Sequence, residues 1–290
     1  MNSLPINIEI YLPTGDPQGL RIATLTASPL KAIEVPRALL PEFQEMTEAG
    51  QVALYFLFSD EAEDEKRTVY IGETEAVGKR LGEHHINPKM DFWTRAVVVV
   101  SASNDITKTH AKYLEWEGIR LADTAKRYVV RNGNAGSKPH TPAGTQATCL
   151  HYLQGIRVFL AILGQPVMEP YGKPKDKVTP EDVFFCKSAN YDATAEYAPD
   201  GMVVRKGSKA RKDMVPSIAK TAAGRKRLTL IEDGRMKLEG NFYVFQEDVA
   251  FGSPSGASDV VTGTSSNGWT VWKTKDGKTL DELKRAKTPA

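Results

Sequence analysis

Cysteine is nearly absent: Cys149 and Cys186 are the only two in 290 residues, far apart and without a CxxC partner. That excludes a disulfide scaffold and a thiolate zinc site, and it suits a reducing, cytoplasmic setting. Long apolar runs are also missing. The longest, such as residues 156–164, fall well short of the roughly 20 residues that span a bilayer, so no membrane association is expected. The N-terminal MNSLPINIEIYLP has no basic segment followed by an apolar one, and no signal peptide is expected. There is no internal repeat. Net charge is small, +2, and by itself points to no class of partner.

What is present is an ordinary apolar fraction, 41%, sufficient for real cores. The length exceeds the usual single-domain size, which predicts two domains. Charge is unevenly placed. Between residues 201 and 227 stand nine Lys or Arg residues and one acid, Asp213, which leaves the rest of the chain at about −6. Such asymmetry marks an interaction face.

Residues 7–11 alternate like a strand, PTGDPQG (13–19) supplies a turn, and 20–25 form a second apolar run, together a hairpin. Residues 36–49 read as a short helix with Pro36 near its start. VALYFLF (52–58) is a continuous apolar run, a buried strand, and 68–71 and 97–101 are further strands. The connection 59–67 holds five acids, Asp60, Glu61, Glu63, Asp64 and Glu65, and reads as a solvated hairpin tip because nothing fixes their geometry for a metal. A long helix over 107–127 follows, then the break RNGNAGSKPHTPAG (131–144), an amphipathic helix over 145–163, and a second Pro/Lys-rich break (169–180).

In VYIGETEAVGKRLGEHH (69–85), Tyr70-Ile71-Gly72 closes a strand and a helix begins. Arg80 and His84 stand four apart and project from one face of that helix. On the helix 107–127 the small and apolar residues Ala111, Leu114, Gly118, Leu121, Ala122 and Ala125 form a stripe. At about 100° per residue, Glu115 falls roughly 70° from its centre, on an inner shoulder, with Glu117 on the more exposed one. His84-His85 with His110 match no established zinc spacing, and His140 and His151 read as surface residues.

Tyr55 in one strand, Tyr70-Ile71-Gly72 in the next, Arg80-Leu81 with His84, and THAKYLE ending at Glu115 together resemble the GIY-YIG nuclease superfamily over residues 50–135. The resemblance implies an α+β fold, a small three-stranded antiparallel sheet flanked by helices. It implies a Mg²⁺- (or Mn²⁺-) dependent endonuclease acting on DNA, of the kind used in restriction or anti-phage defence. Tyr55 and Tyr70 would line the attacking water, one as general base or its relay. Arg80 would grip the scissile phosphate, Glu115 would bind the cation, and His84 would help proton transfer. Asn132 resembles the polar residue that closes the family's domain. The chemistry suits these roles: a hard cation takes carboxylate oxygens, and a guanidinium forms two charge-assisted bonds to phosphate. The first motif departs from the family pattern, reading Ala53-Leu54-Tyr55, with a longer spacer to Tyr70. This motivates an alternative, a nucleic-acid-binding or regulatory protein that no longer cuts.

Further on, 201–208 read as a strand leading to a glycine turn. In FGSPSGASDVVTGTSSNGWTVWK (251–273), Ser253 or Ser255 would cap a short helix over 258–261, Asn267-Gly268 would turn, and 269–272 would form a strand. The segment resembles a small domain of uncharacterised function that often follows GIY-YIG nucleases, and its SPSGAS…NGWTVW core looks like the RAMA domain associated with restriction enzymes and adenine methylases. Arg205, Lys206, Lys209, Arg211, Lys212, Arg225, Lys226 and Arg227 are the expected nucleic-acid contacts. Trp269 and Trp272 are read as core, with base stacking the other use. The expected organisation is an N-terminal hairpin and helix extension (1–49), a nuclease domain (50–135), a connector with one helix (136–180), and a separate, small, basic α+β domain (181–290).

Overall fold

The computed structural model describes residues 5–26, 28–59, 67–133, 135–172, 179–199 and 201–285. The acidic stretch 60–65 and residues 173–178 of the break at 169–180 lie outside them. The chain is mixed α+β and falls into two compact units, Met1–Glu169 and Pro170–Ala290.

The first unit runs β1 (Ile8–Tyr11), β2 (Arg21–Leu25), β3 (Leu30–Pro36), α1 (Leu40–Gln44), β4 (Ala53–Phe58), β5 (Thr68–Thr74), α2 (Val77–Ile86), β6 (Arg95–Ser101), α3 (Lys108–Ala125), β7 (Val129–Val130) and α4 (Ala143–Ile162). The strands form one sheet in the order β1-β2-β3-β6-β4-β5-β7, antiparallel except for β5 with β7. The expected trio β6-β4-β5 is contiguous within it, at the fourth to sixth positions. All six residues of β4 are buried because helices cover both faces. Leu54, Phe56 and Phe58 pack with α3 and α4, while Ala53, Tyr55 and Leu57 pack with α1 and α2. A strand buried on both faces needs no polar alternation, which is why it reads as a continuous apolar run.

The N-terminal fifty residues contribute more than an appendage. The expected hairpin forms as β1 and β2, but β3, which the sequence reading did not identify, pairs with β6 along its whole length from Leu30↔Ser101 to Pro36↔Arg95. Three strands therefore extend the same sheet. The helix expected over 36–49 is broken into α1 and two 3₁₀ turns. Pro36 and Pro41 each lack an N–H, so no continuous helix passes through them, and Pro41 sits in the first turn of α1, where no donor is required. The expected connector helix, α4, is a core element: Cys149, Leu153, Ile156, Phe159 and Leu160 are buried against α3 and the sheet.

The second unit contains β8 (Val183–Ser188), β9 (Tyr191–Ala198), β10 (Gly201–Val204), β11 (Lys209–Arg211), α5 (Pro216–Ala219), α6 (Ala222–Glu232), β12 (Met236–Glu239), β13 (Phe242–Phe245), β14 (Val249–Phe251), α7 (Pro254–Thr262), α8 (Gly268–Val271) and α9 (Leu280–Lys284). Its antiparallel sheet has the order β12-β13-β11-β9-β10-β14, with β8 also on β9. Leu230 of α6, Val260 and Val261 of α7, Trp272 and Leu280 close a separate core over it. Ser253 caps α7, its hydroxyl accepting from the Gly256 N–H at 3.0 Å, and Gly263 ends it in the left-handed conformation, as a C-terminal glycine should. The strand expected over 269–272 is instead α8, because Asn267 caps a helical turn by accepting from the Trp269 N–H at 3.1 Å.

Candidate active site

Tyr55 lies at the middle of β4 and faces α2; its partner across the ladder is Gly72 of β5. A Cβ at Gly72 would overlap the Tyr55 hydroxyl and ring, so the missing side chain is the space that the tyrosine occupies. Tyr70, two residues earlier in β5, faces the same side. From α2, Arg80 and His84 reach the same point. The Tyr55 hydroxyl lies 2.8 Å from His84 Nε2, and Arg80 Nε donates to the Tyr55 oxygen at 3.4 Å. The Tyr70 ring completes the group, 6.3 Å from Tyr55 and 5.4 Å from His84 between centroids. The structure thus brings Tyr55, Tyr70, Arg80 and His84 together.

Electrostatics assign their states. Burial, with Tyr70 next, pushes the Tyr55 phenol well above its ordinary value of 10, so it stays protonated at neutral pH. Burial and the Arg80 charge lower His84 to about 4, leaving it neutral. Arg80 already donates to the Tyr55 oxygen, so the phenol's own proton points to Nε2 of His84, whose other nitrogen carries the ring proton. Tyr70 is half-buried, and its hydroxyl has no hydrogen-bond partner among the described residues. A second nitrogen of Arg80 pairs with Glu83 at 2.8 Å, and hydrogen bonds to Glu83 and Tyr55 raise its pKa further.

Glu115 approaches from α3, on the other face of the sheet. The two faces meet at the rim of β5: β7 pairs only with Thr68 and Val69, so the ladder stops before Gly72. Asn132 fills the next step, its amide nitrogen donating to the Ile71 carbonyl at 2.5 Å and its amide oxygen accepting from the Ile71 N–H at 2.9 Å. Beyond that step Glu73 lies beside Glu115. Glu115 is half-buried; burial and then the Glu73 carboxylate raise its pKa, against a hydrogen bond from the Glu73 backbone and the charges of Lys108 and Arg80. Lys108 Nζ binds Glu73 at 2.7 Å. Glu73 and Lys108 were not anticipated as site residues. Their signal was local: Glu73 follows Gly72 directly, and Lys108 stands seven residues, two helical turns, before Glu115.

An oxygen-only donor set of one or two carboxylates suits Mg²⁺ or Mn²⁺, which complete their shells with water. Among the described residues no group of three His, Cys, Asp or Glu is arranged to hold a metal. The histidines are divided between tasks: His84 binds Tyr55, His85 accepts from Arg37 at 3.3 Å, and His110 caps α3 through Thr107 at 2.8 Å. Burial raises Cys149 to about 11 and Cys186 to about 12, so neither is a nucleophile at neutral pH. Glu117, expected on the exposed shoulder of α3, is buried and clamped by two nitrogens of Arg120 at 2.8 and 2.5 Å. The arginine neutralises it, which allows the carboxylate to be packed away.

In the second unit the expected cations do not form one exposed set. Arg227 is buried, 2% exposed, and its guanidinium binds the carbonyls of Val260, Arg211 and Lys212; burial lowers its pKa to about 10. Arg205 is tied to Glu196 and Asp248. Lys206, Lys209, Lys212 and Arg225 are exposed, Arg211 and Lys226 partly so. Trp272 is core, its Nε1 donating to the Pro254 carbonyl at 3.0 Å. Trp269 is half-buried, with Arg285 stacked 3.7 Å over its ring and Tyr197 edge-on at 5.8 Å.

No helix among the described residues is long and apolar enough to cross a membrane. No curated protein and no solved structure matches the chain. Residues 184–284 match a family described as a domain of unknown function, DUF4357, which falls within the second unit and within the segment expected to be a C-terminal domain of that kind.

Proposed function

We propose that the chain is a Mg²⁺-dependent endonuclease of the GIY-YIG type that hydrolyses phosphodiester bonds in DNA, with the second unit holding the nucleic acid. The observation that supports this most is the contact of Tyr55, Arg80 and His84 beside the free rim of β5, with Glu115 reaching the same rim from α3. Four chemically distinct groups thus converge from three elements, β4, α2 and α3.

Arg80 donates to a non-bridging phosphate oxygen and keeps its charge throughout. Tyr70 positions the attacking water with its unpartnered hydroxyl. As that water attacks, its proton passes to the Tyr55 oxygen while the Tyr55 proton moves to His84 Nε2, which is neutral and ready to accept it. Glu115 would hold the divalent cation, and the Lys108 charge paired with Glu73 offsets part of the repulsion between the two carboxylates. When bound, the cation supplies Lewis-acid neutralisation of the charge that develops on phosphate. Ala53 and Leu54, the altered positions of the first motif, are buried apolar residues and supply no polar group to the site.

Plasmid and phage DNA, with and without base modification, should be nicked or cut in the presence of Mg²⁺ and spared with chelator. Glu115→Ala and Arg80→Ala should each lower the rate by about 100-fold or more. Undiminished cleavage by Glu115→Ala would sink the mechanism, and tight binding without cleavage of any substrate would favour a protein that binds and does not cut.

A further inference from the structure

A polar cleft of about 440 Å³ lies in the second unit where three pieces of chain converge. These are the turn between β8 and β9 at Asn190, the end of β11 at Arg211 and Lys212, and the turn between β12 and β13 at Asn241 and Phe242. We infer that this cleft binds one unpaired nucleotide of a nucleic-acid strand, its phosphate on Arg211 and Lys212 and its base against Asn190, Asn241 and Phe242. The inference rests on the reading that the second unit holds nucleic acid, and it gives that unit a specific site.

Charge is the first argument. Arg211 and Lys212 make no ion pair among the described residues, whereas the nearby cations Arg205 and Lys187 are tied to carboxylates. Asp213 also lines the cleft, so its formal charge is +1, matched to a single phosphodiester and too small for a run of them. The lining is the second argument. A phosphate only accepts hydrogen bonds, and a duplex backbone would leave the carbonyl oxygens of Asn190 and Asn241 without a donor. An unpaired base offers both donors and acceptors at its edge and an apolar face for the Phe242 ring. The volume also falls in the range of small-ligand sites, which run from about 300 to 1,000 Å³.

Rigidity is the third argument. The buried guanidinium of Arg227 grips the main-chain carbonyls of Arg211 and Lys212 from beneath. The partly exposed Arg211 and the exposed Lys212 thus stand on a backbone that Arg227 fixes, and Lys209, on the same strand as Arg211, lies 5.5 Å over the Phe242 ring. A site prepared in this way loses little conformational entropy on binding.

The test is fluorescence anisotropy of the full chain in chelator, with a labelled single strand and a duplex of equal length, between about 50 and 200 mM salt. The single strand should bind more tightly than the duplex. Arg211→Ala/Lys212→Ala should weaken it by about tenfold or more and reduce the salt slope by about 1. Asn190→Ala/Asn241→Ala should weaken it by about threefold with the slope unchanged. Lys237→Ala/Lys275→Ala, outside the cleft, should match the wild type. Wild-type affinity in the Arg211→Ala/Lys212→Ala protein overturns the site, as does absence of nucleic-acid binding, or equal cleft-dependent binding of poly-glutamate or phosphatidylserine vesicles. Cleavage assays on the same proteins separate the two claims. Lost cleft binding with no cleavage by the wild type leaves the cleft and removes the nuclease; Mg²⁺-dependent cleavage with an indifferent cleft does the reverse.

Discussion

Replacing the hydrogen at Gly72 with a methyl group would push directly on the hydroxyl and ring of Tyr55, which is buried. Gly72→Ala should therefore destabilise the fold by about 1–3 kcal/mol, as overpacking does, and lower cleavage as well. Urea melts of the two proteins measure the first effect, and an unchanged midpoint contradicts the contact. His84 makes a second prediction, with a definite sign. Its ordinary value is 6.5 and its folded value about 4. Above pH 6.5 neither state binds the proton and His84 favours folding fully; between 6.5 and 4 the unfolded chain takes up a proton that the folded chain refuses. Stability should fall across that window by up to about 3 kcal/mol, and His84→Gln should flatten that part of the profile. A wild-type profile flat from pH 7.5 to 4.5 would refute it. At this scale the sequence was legible where spacing alone sets direction, as for Arg80 and His84 on one helical face. It was misleading for Glu117, because a helical wheel cannot register that Arg120 one turn on would cover the carboxylate.

Among the elements, β3 escaped the sequence reading for a reason found in its own residues. Glu34 is fully buried within the unbroken buried run Ala32–Val35, so polar and apolar positions do not alternate. Its carboxylate survives there because Arg21 of β2 and Arg95 of β6 flank it, the latter at 3.1 Å. Those partners come from strands whose position only the folded sheet reveals. Glu34→Ala leaves two arginines without their anion and should cost about 3–5 kcal/mol, read by thermal and urea unfolding; a loss below about 1 kcal/mol would show the pair to be incidental. By contrast, α3 and α4 were legible almost to their ends, since long amphipathic helices announce themselves by period. The helix at 268–271 was not, because four residues are too few to show a period and the two tryptophans favoured a strand.

At the level of the whole chain, each unit closes a core of its own, the second around Phe184, Phe245, Trp272 and Leu280. Residues 170–290 expressed alone should melt cooperatively and bind DNA with an affinity that falls as salt rises; a non-cooperative transition would mean that the second core is incomplete without the first. Charge asymmetry located the basic segment in the sequence, but it could not say which cations serve the inside, and Arg227 does. The amide of Asn132 has one further consequence. A strand rim with open N–H and C=O groups invites another chain to add itself there, and such addition is a common route to aggregation. By occupying both polar groups of Ile71, Asn132 interrupts the template after β7. The rim beside Glu73 and Glu115 is thereby left too short for a stray strand to zip onto.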